Sequence, residues 1–277
     1  MADDPRAVLS RPAPAPDATV RYGKQPDQIA DLRRPTADSG SPQPLVVVIH
    51  GGFWRAEYDR THTGPLAVDL AARGYPVAQL EYRRTGQPDG GWPTTFDDVL
   101  AGVAALPALF ASALPDVRMA SGAPILLGHS AGGQLALHCA ASAPTDVRGV
   151  VALAPVADLA EAYRLDLDGG AVAALLGGGP DQVPDRYTVA DPTRRLPLRT
   201  PTVLVHGQLD RHVPVEMSRR YVELARASDS ETRYVELTDC EHFGLIDPAS
   251  SAWKSVIDAL ESIPVDRPKI DVAPPNG

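Results

Sequence analysis

The stretch Pro124-Ile125-Leu126-Leu127-Gly128-His129-Ser130-Ala131-Gly132-Gly133 carries the strongest structural signal in the chain. Its first part is short and apolar, which is typical of a buried parallel strand. Its second part fits the pattern G-x-S-x-G, in which a serine occupies a strained turn between a strand and a helix. Glycines flank such a serine because a side chain there would collide with the neighbouring element. The stretch therefore predicts a strand, a nucleophile elbow at Ser130 and a helix that begins at Ala131.

Similar apolar runs recur along the chain and predict a sheet. They are rich in Val, Ile and Leu and cover residues 45–49, 76–80, 124–127, 149–154, 201–205 and, more weakly, 234–237. A short two-strand start is predicted at 18–22 and 28–33. Stretches with apolar residues at helical spacing lie at 62–73, 94–113, 131–143, 215–227 and 248–263. This alternation predicts an α/β fold with a mostly parallel, eight-stranded sheet flanked by helices.

The composition predicts one folded domain. The first 44 residues contain eight prolines, which favours a flexible N-terminal arm over 1–17, before a single domain over 18–265 and a C-terminal tail over 266–277. Residues 155–199 break the strand and helix rhythm, with short helical stretches at 158–163 and 170–176. This region predicts a small cap insertion above the carboxyl ends of the strands, and a long surface connection is the alternative.

The charge balance limits the classes of partner. Lys and Arg total 26 and Asp and Glu total 35, a net charge of −9, and no cluster of basic residues is present. We therefore expect no nucleic-acid or membrane partner, and small neutral or cationic substrates suit the chain better than anionic ones. The first residues lack a basic segment followed by an apolar core, and no apolar run approaches the roughly 20 residues that span a bilayer. These features predict a soluble, cytoplasmic protein.

Neither cysteines nor histidines form a pattern typical of a metal site. Cys139 and Cys240 are too few for a disulfide framework and match no zinc spacing. Cys139 falls on the helix after the elbow, where packing is the expected role and redox pairing the alternative. His206 and His212 flank Asp210, but no H-E-x-x-H pattern accompanies them. The sequence predicts neither a metal nor a cofactor.

A serine nucleophile needs a base, and the base needs a carboxylate that orients it. In chains with this type of elbow the three residues follow the order serine, acid, histidine. Asp210 follows the predicted strand at 201–205, and His242 follows the next one, so both should lie at the same sheet edge as Ser130. Asp158 is the alternative acid, although its position also suits a helix N-cap.

A serine nucleophile also needs donors for the negative charge of the tetrahedral intermediate. The run His50-Gly51-Gly52-Phe53-Trp54 follows the strand at 45–49, where a glycine-rich loop can bring its amides to the serine. We predict an oxyanion hole formed by the amide of Ala131 together with that of Gly52 or Phe53. A plain glycine turn is the alternative.

Three aromatic residues are candidates for lining a substrate pocket. Phe53 and Trp54 come directly after the glycine pair, and Trp92 precedes the predicted helix at 94–113. Aromatic side chains in such places also act as structural wedges, which is the alternative for each of them.

Together these motifs resemble the α/β-hydrolase fold superfamily over roughly residues 18–263. In that resemblance the glycine loop follows the third strand, Ser130 the fifth, Asp210 the seventh and His242 the eighth. Within the superfamily the two glycine motifs look like the esterase and arylformamidase (kynurenine formamidase-like) branch. Its esterases usually have a third glycine where this chain has Phe53, and an aromatic residue there is similar to the arylformamidase pattern.

The resemblance implies a serine hydrolase that cleaves small carboxylic esters through an acyl-enzyme without a cofactor. Ser130 would attack, His242 would carry the proton and Asp210 would orient His242. Hydrolysis of a formamide or another small amide is the first alternative. A non-catalytic ligand-binding or receptor protein on the same fold is the second. The expected partner is a small ester or amide, and no pattern indicates an oligomeric state.

Overall fold

One sheet of eight strands organises the computed structural model, which describes residues 4–142 and 145–265. The strands are β1 (Ala18–Arg21), β2 (Ile29–Arg33), β3 (Val46–Ile49), β4 (Val77–Leu80), β5 (Ile125–His129), β6 (Gly149–Leu153), β7 (Thr202–Gly207) and β8 (Thr232–Leu237). Their order is β1-β2-β4-β3-β5-β6-β7-β8. Strand β2 pairs antiparallel with β1 and β4, and all other pairs are parallel. The predicted mostly parallel, eight-stranded sheet is confirmed.

Helices connect the parallel strands. They are α1 (Gly64–Ala72), α2 (Thr94–Ala113), α3 (Ala131–Ala140), α4 (Leu159–Arg164), α5 (Ala171–Leu176), α6 (Pro184–Ala190), α7 (Val215–Ala227) and α8 (Trp253–Glu261). Helix α3 ends three residues before the predicted limit, and residue 143 lies outside the described residues. The predicted tail over 266–277 also lies outside them.

Each face of the sheet carries its own hydrophobic core. In β3, Val47 packs into the core that includes α2, α3 and α7, whereas Val46 and Val48 pack into the core that includes α1 and α8. Because side chains alternate across a strand, two covered faces require apolar residues at nearly every position. This requirement explains why the strand sequences scarcely alternate. Because these neighbouring strands run parallel, the carboxyl ends of β3, β5, β7 and β8 lie at one edge of the sheet.

Helix α2 contains Pro107, a residue type that often splits a helix, yet it continues without a break from Thr94 to Ala113. The prediction that no apolar run has the length to cross a membrane needs correction, because α2 meets that test by length and composition. Here it packs Phe96 and Val103 into the core, and its Asp98 pairs with Arg83 at 2.7 Å.

The N-terminal segment packs on the domain, so the prediction of a flexible arm over 1–17 needs correction for its described part. Residues Pro5–Ser10 form a 3-10 helix, and Val8 within it is buried in the core beside α1 and α8. Arg11 then makes two hydrogen bonds to Asp247, at 2.5 and 2.8 Å. These contacts join residues 236 positions apart, which local composition cannot indicate.

Residues 155–199, predicted as an insertion, contain α4, α5 and α6 between β6 and β7. Helix α6 was not predicted, because prolines and glycines around it obscure the spacing of its buried residues, Tyr187 and Ala190. Leu175 of α5 and Tyr187 of α6 belong to the core on the α2 and α3 side of the sheet. The role of this region as a cap stays a prediction.

Helix α3 carries a buried histidine whose protonation opposes folding. His138 Nδ1 donates to the carbonyl oxygen of Val189 at 3.1 Å, and the ring of Phe96 packs edge-on against it at 4.8 Å. Burial, with a smaller contribution from Arg195, lowers the pKa of His138 to about 4. The unfolded chain binds this proton near pH 6.5, so the unfolded state holds more protons between pH 6.5 and 4. Stability therefore falls as the pH falls through this window.

We expect the substitution His138→Gln to flatten this pH dependence. Between pH 6.5 and 4.5 the unfolding free energy of the variant should fall by roughly 2 kcal/mol less than that of the native chain. Urea unfolding at several pH values measures the free energy of unfolding of both proteins. For each protein the free energy at pH 7.5 is the reference, which removes any loss of stability that does not depend on pH. If the unfolding free energy fell equally with pH in both proteins, the result would contradict a buried neutral imidazole at His138.

Candidate active site

The turn between β5 and α3 places Ser130 in a strained conformation, with φ 57° and ψ −119°. Its amide donates to the carbonyl oxygen of Leu153 at 2.8 Å. A Cβ on Gly128 would lie 2.3 Å from the carbonyl oxygen of Gly132, and one on Gly132 would lie 2.1 Å from that of Ile49. Only glycine fits at either position, so the backbone has the form that the G-x-S-x-G pattern predicts.

The structure brings His242 and Asp210 into direct contact. His242 Nδ1 donates to Asp210 Oδ2 at 2.5 Å, and both side chains are buried. Asp210 Oδ1 accepts from the amides of His212 and Val213, each at 2.8 Å. Because an ionised carboxylate only accepts, the hydrogen of a neutral His242 lies on Nδ1. Its Nε2 is then able to accept a proton.

Asp210 is kept ionised by the groups around it. Burial raises its pKa, but hydrogen bonds from His206 and His242 outweigh burial and hold the pKa of Asp210 well below its usual range. His206 Nε2 lies 3.2 Å from Asp210 Oδ2, and His206 Nδ1 lies 2.7 Å from Ser218 Oγ. The sequence did not indicate this contact of His206, for which a metal role was considered and not favoured. Within residues 4–142 and 145–265, no three His, Cys, Asp or Glu side chains are grouped to hold a metal ion.

His129, next to the serine, supports the loop that carries His242. Its Nε2 lies 3.1 Å from the carbonyl oxygen of His242, and the two imidazole rings are 4.4 Å apart between centroids. Burial, together with the nearby His242, lowers the pKa of His129 well below its ordinary value. His129 is therefore neutral and donates from Nε2, as the carbonyl requires.

Ser130 and His242 line the same pocket, a small cavity of about 110 Å³. Residues from distant parts of the chain form its wall: Arg6, Leu9, Gly52, Phe53, Tyr58, His62, His129, Ser130, Asp168, His212, His242 and Phe243. The sequence pointed to neither Arg6 nor Leu9, because both lie in the segment that was predicted to be a flexible arm. Burial lowers the pKa of His62 to about 4, so this wall residue is neutral at pH 7.

The glycine loop after β3 lies directly against the elbow. A Cβ on Gly51 would be 2.8 Å from the carbonyl oxygen of His129 and 3.0 Å from Ser130 Cβ. Gly52 and Phe53 both have positive φ, 101° and 48°. Among the described residues, no backbone acceptor is found for the amides of Gly52, Phe53 or Ala131. The loop and the start of α3 therefore present N–H donors that the fold itself does not use.

A buried polar network holds this loop from behind. His50 Nε2 lies 3.0 Å from Glu81 Oε1, and His50 Nδ1 lies 2.9 Å from the carbonyl oxygen of Gly51. Tyr82 Oη donates to the carbonyl oxygen of His50 at 2.8 Å. Burial raises the pKa of Glu81, but His50 and the other donors outweigh it and lower the pKa to about 2. Sequence reasoning missed Glu81 and Tyr82, whose position directly after the strand at 76–80 was the available signal.

Two of the three aromatic pocket candidates were predicted wrongly. Trp54 is completely buried, and its Nε1 donates to Gln134 Oε1 at 3.1 Å. Trp92 packs against Phe96 with ring centroids 5.1 Å apart, and neither tryptophan lines the pocket. Both act as the structural wedges that the sequence analysis kept as the alternative. Phe53 does line the pocket.

Asp158, the alternative acid, serves a helix instead. Its Oδ1 accepts from the amide of Glu161 at 2.9 Å, which caps α4, and its Oδ2 lies 3.1 Å from Arg220 Nε. The imidazole of His242 bonds instead to the carboxylate of Asp210. The geometry therefore favours Asp210 over Asp158.

We expect the substitution Gly52→Ala to lower kcat by about 100-fold, comparable to the loss of one oxyanion donor. Its φ is 101°, and a Cβ there would lie 2.4 Å from Tyr58 Cβ, so the loop must move away from the serine. Gly40→Ala is the matched control, because Gly40 also has positive φ, 74°, but a Cβ there would meet no atom within 4 Å, and Gly40 lies outside the pocket wall. Steady-state ester hydrolysis measures both variants, and an equal loss in both would contradict the loop's role.

Comparison with known proteins places this site in context. The BD-FAE family model matches residues 30–224, more than half of the chain. Two curated proteins of Mycobacterium tuberculosis are similar: Esterase LipC, 28% identical over 83% of this chain, and the probable carboxylic ester hydrolase LipM, 27% identical over 87%. The chain spans about 60% of the length of each relative.

Solved structures share the fold. Esterase B from Lactobacillus rhamnosis, inhibited by a tributyrin phosphonate, superposes with a TM-score of 0.74 at 20% identity, covering 94% of this chain and 89% of that one. Est2 from Thermogutta terrifontis, with propionate bound, gives a TM-score of 0.66 at 19% identity and covers 88% and 92%. These similarities show the α/β-hydrolase fold.

Proposed function

The chain belongs to the BD-FAE family of α/β-hydrolase-type esterases, and we propose that it hydrolyses small carboxylic esters. One observation carries the proposal. Ser130 and His242 line one pocket, and the imidazole of His242 donates from Nδ1 to the buried Asp210 at 2.5 Å. A nucleophile, a base and an orienting carboxylate are the requirements of serine-dependent acyl transfer. The names of the two curated relatives, an esterase and a probable carboxylic ester hydrolase, support the same reaction class.

In the proposed first step, Ser130 Oγ attacks the carbonyl carbon of the ester while His242 Nε2 takes the hydroxyl proton. Asp210 stays ionised and stabilises the imidazolium that forms. The carbonyl oxygen becomes an oxyanion, which the amides of Ala131 and of Gly52 or Phe53 would bind. The intermediate then expels the alcohol, and His242 returns the proton to its oxygen.

In the proposed second step, water attacks the acyl-enzyme. His242 removes a proton from the water, the same amides bind the new oxyanion, and the carboxylic acid leaves with Ser130 restored. No step requires a group from outside the chain other than substrate and water. The pocket volume of about 110 Å³ supports small acyl or alcohol groups rather than long chains.

A formamide or small amide is the second candidate substrate. Phe53 favours it, because this aromatic residue occupies the place of a third glycine and lines the pocket beside Ser130. An aromatic wall next to the reacting carbonyl suits a substrate with an aryl group. The formamide candidate rests on this residue and on the resemblance of the two glycine motifs, whereas ester hydrolysis also has the named relatives in its favour.

Labelling with a fluorophosphonate probe tests the reaction class. We expect the native chain to be labelled and the Ser130→Ala chain not to be, since the probe reacts with an activated serine. A ligand-binding protein on the same fold would remain unlabelled. Turnover of p-nitrophenyl esters of increasing chain length, measured beside N-formylkynurenine, then separates the two substrates. Faster turnover of the formamide would favour the second candidate.

A further inference from the structure

The N-terminal segment brings a positive charge to the wall of the pocket. Arg6 lies on the 3-10 helix Pro5–Ser10, which is anchored by the buried Val8 and followed by the paired Arg11 and Asp247. Both Arg6 and Leu9 of this helix line the pocket together with Ser130. The segment therefore forms part of the wall of the pocket that contains Ser130.

The guanidinium of Arg6 is oriented but not neutralised. Its Nη2 donates to Tyr58 Oη at 3.2 Å, and its Cζ lies 5.7 Å from the centroid of the Phe243 ring. A guanidinium has five N–H donors, so most of them remain available to a bound molecule. Across 4–142 and 145–265, no carboxylate lies within ion-pair distance of Arg6.

The other ionisable groups of the pocket wall do not compensate this charge. Asp168 forms a salt bridge with Arg55, so its negative charge already has a partner. Burial lowers the pKa of His62 to about 4 and that of His129 well below its ordinary value, so both imidazoles are neutral at pH 7. Burial also lowers the pKa of His212. Arg6 thus supplies an unpaired cation close to the reacting groups.

We propose that Arg6 is a specificity-determining residue that pairs with an anionic group, such as a carboxylate, elsewhere on the ester substrate. The inference rests on the proposed ester hydrolysis and names the substrate class of that site. It reverses the expectation of neutral or cationic substrates that the net charge of −9 suggested. Net charge describes the whole surface, whereas binding depends on the groups within reach, because exposed charges beyond about 10 Å are largely screened.

Two pairs of esters test the proposal on either side of the scissile bond. For the leaving group the pair is 4-acetoxybenzoate and its neutral amide, 4-acetoxybenzamide, and for the acyl group it is mono-(4-nitrophenyl) adipate and its methyl ester. In at least one pair, Arg6→Gln should lower kcat/KM for the anionic ester by about 10-fold, the lower end for a hydrogen bond to a charged group. The neutral ester should change less than 2-fold, and Arg6→Lys should restore part of the loss.

The matched control is Arg21→Gln, which removes the same charge from strand β1, away from the pocket wall. It should leave the ratio between anionic and neutral esters unchanged in both pairs. High salt should reduce the native preference and have little effect on Arg6→Gln. Equal losses for the two esters of each pair, or the same ratio in Arg6→Gln as in the native chain, would overturn the proposal.

A binding measurement separates failure of this inference from failure of the proposed reaction. Calorimetry measures the binding affinity of Ser130→Ala and of the double variant Ser130→Ala/Arg6→Gln. The ligand is the anionic ester whose turnover depends on Arg6. If neither anionic ester is hydrolysed, both are measured. Binding that weakens about 10-fold in the double variant supports the Arg6 contact even where no ester is hydrolysed, and that result would contradict the reaction only. Equal binding to both variants would contradict the contact, whatever the rate of hydrolysis.

Discussion

Ser130→Ala should lower kcat for p-nitrophenyl acetate by about 10⁴- to 10⁶-fold, the range for removing the nucleophile of a triad enzyme. The substitution deletes only the hydroxyl that would bond to the acyl group in the proposed reaction. Alanine accepts the strained turn at a cost similar to that of serine, because both have a Cβ at φ 57°. The amides of the proposed oxyanion hole remain, so a residual rate above that of water is expected.

Ser142→Ala is the control for this measurement. Ser142 lies just after α3, where its hydroxyl donates to the carbonyl oxygen of His138 at 2.8 Å, and it does not line the pocket. Its kcat should stay within about 2-fold of the native value. A loss of less than 10-fold in Ser130→Ala, with the thermal unfolding temperature unchanged, would mean that the nucleophile lies elsewhere.

Asp210→Asn should lower kcat by about 10⁴-fold, as replacement of the orienting acid does in other triads. The amide nitrogen of asparagine facing His242 Nδ1 would favour the tautomer with its hydrogen on Nε2, which cannot accept the proton of Ser130. The variant also removes the negative charge that would stabilise the imidazolium in the proposed reaction.

Asp158→Asn is the matched substitution, with the same change in charge at another buried aspartate. Its carboxylate caps α4 and pairs with Arg220, so the variant should lose up to about 1 kcal/mol of stability but less than 3-fold in kcat. Thermal unfolding of both variants separates loss of fold from loss of activity. A larger loss of kcat in Asp158→Asn than in Asp210→Asn would show that Asp158 is the acid.

Local sequence predicts those parts of the fold that local physics controls. Strands covered on both faces need continuous apolar runs, so β3, β5, β6 and β7 were found within a residue or two. The elbow was found because only glycine fits at Gly128 and Gly132. Chain order then indicated Asp210 and His242, and the structure brings these two side chains together.

The sequence predictions fail where the structure depends on the direction of a side chain or on contacts between distant parts of the chain. Trp54 points into the core because Phe53 and Trp54 both have positive φ, 48° and 58°, and a pattern of residue types does not encode backbone angles. The N-terminal segment was predicted to be flexible because it is rich in proline. Its pairing of Arg11 with Asp247 depends on tertiary structure, and so does the position of Arg6 at the pocket.

In the proposed reaction, the four hydrogen bonds to Asp210 would lower the barrier to proton transfer. His206, His242 and the amides of His212 and Val213 hold both carboxylate oxygens before any substrate arrives. When His242 becomes positively charged, the dipoles around Asp210 already point in the direction that the new charge requires. Water around a free carboxylate would have to reorient as the charge on His242 forms. In the folded protein the dipoles are already oriented, so this reorganisation energy is not added to the barrier.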